Sequence, residues 1–371
     1  QPSTGGCGFR EQVAPVVASG EATLNGDMAQ FSFALSTLGG APLGAGEGVH
    51  DMITSKGAAA FDSGLLVFSP KSLQPAQLIS PLYGLVRDMT GAASATVRAE
   101  WGADAADFRS TAELRLDNVT FVGPSLAVSK TAGLSGTIRL SSLAPLTTDG
   151  VQTVHLDLVN LDALRLENGE IVFEMPGDET LRLHRGSFPW FGGEIGVYDA
   201  TASLAGDKVT APLRAADVDL SQLLASLNVN TLSGEGVVEG VLPLVFENGK
   251  ARIENGELSA VGPGVIRYTG AATGAAAAKN EGSRIAFDVL RELHFDKLTA
   301  KINGPLDGDI DFRIVFEGIN DITLEQGRVA SPIIYRISIE APLLALIDQA
   351  RVSSDFRLQY ERLKPEELRS Q

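Results

Sequence analysis

The feature that most constrains this chain is a two-residue alternation of apolar and polar side chains that returns along most of its length. Asp309-Ile310-Asp311-Phe312-Arg313-Ile314-Val315-Phe316 carries an apolar residue at every even position. Thr153-Val154-His155-Leu156-Asp157-Leu158, Arg336-Ile337-Ser338-Ile339-Glu340 and Phe356-Arg357-Leu358-Gln359-Tyr360 follow the same rule. Successive side chains of a strand point to opposite faces, so this period belongs to a half-buried β-strand and not to a helix. Turn signals separate the segments: Glu167-Asn168-Gly169, Ala205-Gly206-Asp207, Glu247-Asn248-Gly249 and Glu254-Asn255-Gly256. Asn-Gly between alternating segments predicts a hairpin. With strands of about five to eight residues, the chain holds roughly two dozen of them. No strict internal period appears, so the repetition is an antiparallel meander and not a short-repeat solenoid.

Helical patterns are few and short. Asp219 is placed to cap Leu220–Leu227, whose leucines form one stripe. Ser283–Leu293 sets Ile285, Val289 and Leu293 on one face, with a strand expected from His294. Pro342 opens a further short helix through Ala350, as suits proline in a first turn, and Pro81–Met89 reads as a fourth. Thr269–Gly282, rich in Gly and Ala, reads as a loop. These helices can cap a sheet but cannot build a helical domain.

Composition narrows the partners. The 371 residues carry a formal charge of −16, which argues against nucleic acid, whose phosphates require clustered Lys and Arg. A hydrophobic fraction of 44% supplies ample surface for burial, so disorder is not expected. The single cysteine, Cys7, permits no internal disulfide, and no apolar run precedes it as lipid attachment would need. No segment reaches the ~18 consecutive apolar residues of a membrane helix. An anchor, if the intact protein has one, is expected outside this sequence.

The search for chemistry comes back almost empty, and no cofactor or metal is expected. His50, His155, His184 and His294 are scattered without metal-ligand spacing, and His155 and His184 read as solvent-facing strand residues. The chain contains neither Gly-x-Ser-x-Gly nor a phosphate-binding loop. The carboxylate pairs Asp217/Asp219 and Asp307/Asp309 read as turn residues, and Asp307–Asp311 lacks the remainder of a calcium loop. An enzyme is therefore not expected. What remains is a large alternating apolar surface with little helix to cover it. Such a surface must pair with a second sheet, roll up, or hold something apolar.

Specific stretches speak to that choice. Val218–Leu224, Leu232–Leu244 and, most specifically, Asn255–Tyr268 resemble signature segments of the YdbH-like family of AsmA-type proteins. Val289–Leu298, Phe316–Asn320 and Ile339–Asp348 continue the likeness in order, and Leu73–Leu78 and Gly192–Ile195 extend it upstream. The resemblance covers nearly the whole chain and corresponds to the C-terminal portion of a longer protein. It implies a mainly β fold: one long antiparallel sheet rolled into an open, taco-like groove with an apolar interior and a few short capping helices. It implies a single elongated body over 1–371, with an upstream section at 1–215 and the signature section at 216–371. It further implies phospholipid transport between inner and outer membranes, a periplasmic location and an inner-membrane anchor upstream. A small outer-membrane lipoprotein is expected to add strands at the C-terminal sheet edge.

On this reading the groove is lined by the apolar members of the alternating strands. Leu156, Leu158, Leu164, Leu166, Ile171 and Phe173 form one group, and Leu242, Leu244, Phe246, Ile253 and Leu258 a second. Ile310, Phe312, Ile314, Phe316, Ile337 and Ile339 form the third. Phe356, Leu358 and Tyr360, on the terminal strand 354–362, mark the edge for partner addition. Burying an acyl chain is worth about 0.8 kcal/mol per methylene, so a sixteen-carbon chain gains on the order of 12 kcal/mol in such a groove. The alternative is a closed β-sandwich or solenoid, a scaffold or adhesin, in which the same residues pack against one another without cargo.

Overall fold

The computed structural model describes residues 15–75, 86–123, 128–161, 164–178, 180–203, 209–226, 231–247, 250–269, 288–324, 327–342 and 357–362. The fold is mainly β, with a large antiparallel sheet that does not close into a barrel and a separate three-stranded sheet. The first half supplies β1 (Val16–Asn25), β2 (Met28–Thr37), β3 (Pro42–Asp51), β4 (Gly57–Asp62), β5 (Leu66–Phe68), β6 (Arg87–Trp101), β7 (Arg109–Val122), β8 (Val128–Leu143), β9 (Leu146–Thr148), β10 (Gln152–Leu161), β11 (Leu164–Glu174) and β12 (Thr180–Trp190). The second supplies β13 (Gly193–Ser203), β14 (Val209–Asp219), α1 (Leu220–Ser226), β15 (Leu232–Glu235), β16 (Val237–Glu247), β17 (Lys250–Ala260), β18 (Gly264–Tyr268), β19 (Leu293–Phe295), β20 (Lys297–Pro305), β21 (Asp309–Leu324), β22 (Gly327–Pro342) and β23 (Arg357–Arg362). The mainly β, open antiparallel architecture is the one the alternation and the family resemblance imply.

The chain divides into two compact units, one comprising 1–161, 165–186 and 199–206, the other 162–164, 187–198 and 207–371. In the first, antiparallel pairing runs β1–β2–β3–β4–β6–β7–β8–β10. β5 continues beside β6 where β4 leaves off, and β9 does the same beside β8. In the second, the order is β13–β14–β16–β17–β20–β21–β22–β23. The small sheet β15–β18–β19 belongs to this unit.

Two of the Asn-Gly signals do not make hairpins. Asn168 and Asn255 lie inside β11 and β17 with φ of 57° and 54°. In β17 the register jumps between Ile253 and Gly256, the mark of a β-bulge. Asn tolerates the left-handed conformation that a bulge needs just as it tolerates it in a turn. The freed Asn255 N–H is satisfied by Asn303 Oδ1 at 2.6 Å. Asn118 in β7 and Asp217 in β14 mark further register jumps with φ of 48° and 54°. Bulges at these points raise local twist and bend the strands, which is how a long antiparallel sheet acquires curvature. The third signal behaves as expected, since Glu247 pairs with Lys250 across a two-residue connection.

The helical expectations divide similarly. α1 forms where Asp219 caps it, with Asp219 Oδ1 accepting from Ser221 N at 2.7 Å and Gln222 N at 3.2 Å. Of Ser283–Leu293, residues 288–290 are helical, and the strand through His294 begins at Leu293. At 81–89 the expectation fails over the last three residues, because β6 begins at Arg87. The remainder of that segment, the loop at 270–282 and the helix from 343 to 350 lie outside the described residues.

Candidate functional site

In an antiparallel pair, directly opposed residues share a face, so the registers trace rows across each sheet. In the first unit Phe33, Gly46, Phe61, Val97, Ala112 and Leu140 stand opposite one another across β2, β3, β4, β6, β7 and β8. Five strand spacings of about 4.8 Å make this apolar row about 24 Å long. One residue along, Ser32, Glu47, Ala60, Arg98 and Thr111 form a row on the other face, and it is polar. The parallel row Ala95–Leu114–Ile138 adds to the apolar face. Phe33, Phe61, Val97, Leu114, Ile138 and Leu140 are all half-buried, so this face keeps surface available.

Glycines give that face its low relief. A Cβ built on Gly46 would meet Phe33 Cζ at 2.4 Å, one on Gly48 would meet Phe31 Cζ at 2.4 Å, and one on Gly57 would meet Trp101 Cζ2 at 2.3 Å. The rings therefore lie across the backbone of the neighbouring strand, filling the space a side chain would take. Phe31 and Phe33 are 6.3 Å apart, Phe33 and Phe61 6.3 Å, and Phe31 and Trp101 6.5 Å between ring centroids. The polar face carries a shallow depression of about 660 Å³ lined by Glu21, Gln30, Ser32, Glu47, Arg98 and Glu100 among others. Three carboxylates and a guanidinium stand there beside Phe31, Val49 and several alanines, so its lining is mixed.

In the second unit the corresponding row is longer. Ile195, Ala215, Gly240, Leu258, Ala300, Ile314, Ile337 and Leu358 oppose one another from β13 to β23. Its neighbour on the other face, Glu257–Lys301–Arg313–Ser338–Arg357, is charged. The apolar row changes character along its length. Ile195, Ala215, Leu258 and Ala300 are at most 8% exposed, whereas Ile314 and Ile337 are half-buried. At the Phe316 side, the small sheet packs onto the large one. Phe295 of β19 meets Phe316 with ring centroids 5.7 Å apart. Asn320, 3% exposed, accepts from His294 N at 2.7 Å and donates to His294 O at 2.8 Å. Gly318 allows the approach, since a Cβ there would stand 2.5 Å from His294 O.

The residues expected to line a groove thus divide by exposure. Leu156, Leu166, Phe173, Leu242, Leu244, Ile253, Leu258, Ile310 and Phe316 are buried within the chain's own packing. Leu158, Leu164, Ile171, Phe246, Phe312, Ile314 and Ile337 are half-buried. Ile339 shares the register row of Phe312, with its side chain outside the described residues. β23 forms the last strand, paired with β22 among the described residues. Leu358 and Tyr360 oppose Ile337 and Tyr335 there, and Phe356 lies outside the described residues. Sequence reasoning missed the aromatic pavement of β2, β4 and β6. Its signal was present in the alternating Gly44, Gly46 and Gly48 of one strand beside the alternating Phe31 and Phe33 of the next.

The acidic pairs have structural duties. Asp219 is the helix cap, and the Ser221 hydroxyl together with two backbone N–H groups holds its carboxyl below the ordinary aspartate range. Asp217 is the bulge residue, and Asp307 pairs with Lys250 at 3.0 Å. His155 and His184 are exposed on their strands, as their alternation implies. Among the described residues no helix is long and apolar enough to cross a membrane.

No curated protein and no solved structure matches the chain. A family model does: YdbH-like, described as intermembrane phospholipid transport protein YdbH, matches residues 9–362. With two-sided antiparallel sheets and a match that spans nearly its whole length, this chain belongs to the YdbH-like family of intermembrane phospholipid transport proteins.

Proposed function

We propose that the chain carries phospholipid across the periplasm by sheltering acyl chains on the apolar faces of its sheets, headgroups remaining in water. The observation that carries this reading is the half-buried row Phe33–Gly46–Phe61–Val97–Ala112–Leu140, backed by a polar row one residue away. A row of near-uniform apolar character offers cargo similar sites at successive strands. Each methylene moved along it trades about 0.8 kcal/mol for about the same, so the barrier to sliding stays small. In the second unit the half-buried Phe312, Ile314 and Ile337 extend the same role. The buried residues of the expected lining support the sheet beneath. The remaining parts of the reading rest on the family resemblance: an inner-membrane tether upstream, and a small outer-membrane lipoprotein that adds a strand beside β23 near Leu358 and Tyr360.

Native mass spectrometry with lipid extraction on the purified chain tests this. Phospholipid is expected to co-purify and to be largely lost in Phe33→Asp and in Phe312→Asp/Ile314→Asp variants whose circular dichroism stays β. The competing reading, a closed β-scaffold without cargo, draws on the buried stretch from Ile195 to Ala300. A folded wild-type chain that is free of lipid and refuses added phospholipid would decide for the scaffold.

A further inference from the structure

The apolar face of the first unit is not symmetric across its width. At one rim, where β3 hands over to β4 and β6 to β7, Trp101 Nε1–H donates to His50 Nδ1 at 3.1 Å and the two rings stack with centroids 6.1 Å apart. With Nδ1 accepting, the proton of the neutral imidazole sits on Nε2, a remaining donor. The pair is half-buried, Asp51 ends β3 beside it, and the adjoining connections carry Lys56, Asp104 and Asp107. The other rim is apolar where it is described. Leu43, Phe68, Leu73 and Ala93, each at most 6% exposed, close it as an apolar cluster against which Leu35 packs. That closure is clamped. Gln74 donates to Met89 O and accepts from Met89 N, both at 2.9 Å, and also donates to Ser69 O at 2.7 Å.

Between the rims run Trp101, Phe31, Phe33 and Leu35, along the strand direction. From Ala29, which opposes His50, to Leu35 is six residues, or about 20 Å. Half of a ~30 Å hydrocarbon core is about 15 Å, the length an acyl chain occupies in one leaflet. Building on the transport reading, we propose that phospholipid lies across this face in one orientation. Its headgroup sits at the Trp101–His50 rim, and its acyl chains extend along β2 toward the Leu43–Phe68–Leu73 closure. Trp101 and His50 present an apolar body with a polar tip, the character that suits the boundary between headgroup and tail. Mixed charge on the neighbouring connections suits a zwitterionic headgroup better than an anionic one. Reversal would push a phosphate against the side chains of Leu43, Phe68, Leu73 and Ala93, none of which carries a hydrogen-bond donor.

The test uses the full chain loaded with two zwitterionic phospholipid probes, one with a photoactivatable diazirine in the headgroup and one with it at the acyl terminus. Labelled peptides are mapped by mass spectrometry. The headgroup probe is expected to label the connections around Met52 and Phe108, and the tail probe to label Leu43, Phe68 and Leu73. The end preference is expected to be about tenfold, the worth of one hydrogen bond to a charged group. In a His50→Leu/Trp101→Phe variant this preference is expected to fall toward one. Labelling with no end preference, or with the ends exchanged, overturns the orientation and leaves the transport reading standing. A folded chain labelled by neither probe overturns both.

Discussion

Removing a single oxygen from Tyr335 is expected to make the protein more stable. Tyr335 sits on β22 opposite Phe316 and beside Ile333, and it is 1% exposed. Its hydroxyl has no hydrogen-bond partner among the described residues, and burial pushes its ionisation well above the ordinary phenol value. A buried polar group left unpaired costs about 1–3 kcal/mol in desolvation that folding does not recover. Tyr335→Phe relieves that cost while keeping a ring at the position opposite Phe316. The only loss is a few dispersion contacts of the oxygen, each about 0.1–0.2 kcal/mol. The net gain is about 1–2 kcal/mol. With a urea slope of about 3 kcal/mol/M, the midpoint rises by roughly 0.3–0.7 M. Equilibrium urea unfolding followed by tyrosine and tryptophan fluorescence and by circular dichroism measures it. A midpoint that falls by a similar amount would show that the hydroxyl is held by a partner, and the account of this core would be wrong.

Asn320→Ala leaves both backbone groups of His294 without their clasp and is expected to cost about 2–4 kcal/mol, with faster hydrogen exchange at the His294 amide as the local signature. A cost below about 0.5 kcal/mol would mean that the small sheet is held by packing alone. Asp219 titrates below the ordinary 3.8 because its ionised form receives the Ser221 and Gln222 hydrogen bonds. A depressed folded pKa contributes stability above the unfolded value and loses it as the pH falls through the folded one. Acid is therefore expected to fray α1 below about pH 3.8, and Asp219→Asn to remove that dependence. A carbon-detected NMR titration that places Asp219 at or above 3.8 contradicts the capping account. Gly46→Val is expected to displace the Phe33 ring and reduce phospholipid retention in the extraction assay more than Gly26→Ala. A side chain at Gly26 meets nothing within 4 Å, although its φ of 60° carries a backbone strain of its own.

Much of this architecture was legible in the residue order because a strand's side-chain period is local. Alternation at 309–316 and 336–340 names strands and sorts their residues onto two faces before any partner is known. The registers then place Ile314 opposite Ile337 and Arg313 opposite Ser338, as that sorting requires. The cap at Asp219 was legible for the same reason, since an N-cap acts on the two or three residues that follow it. Asn255 was misread because a turn and a bulge ask the same thing of one residue, a positive φ. Only the pairing of the neighbouring strand tells them apart.

What the sequence by itself determined is therefore the strand content, the two-faced character of each strand and, through ordered motifs, the family. Tertiary structure alone decided which of the apolar residues are spent on the protein's own packing and which keep a free surface. Leu258 and Ile314 look alike in their alternation, yet one is sealed and the other half open. The difference lies in what covers them, and covering is a long-range contact that no local period encodes.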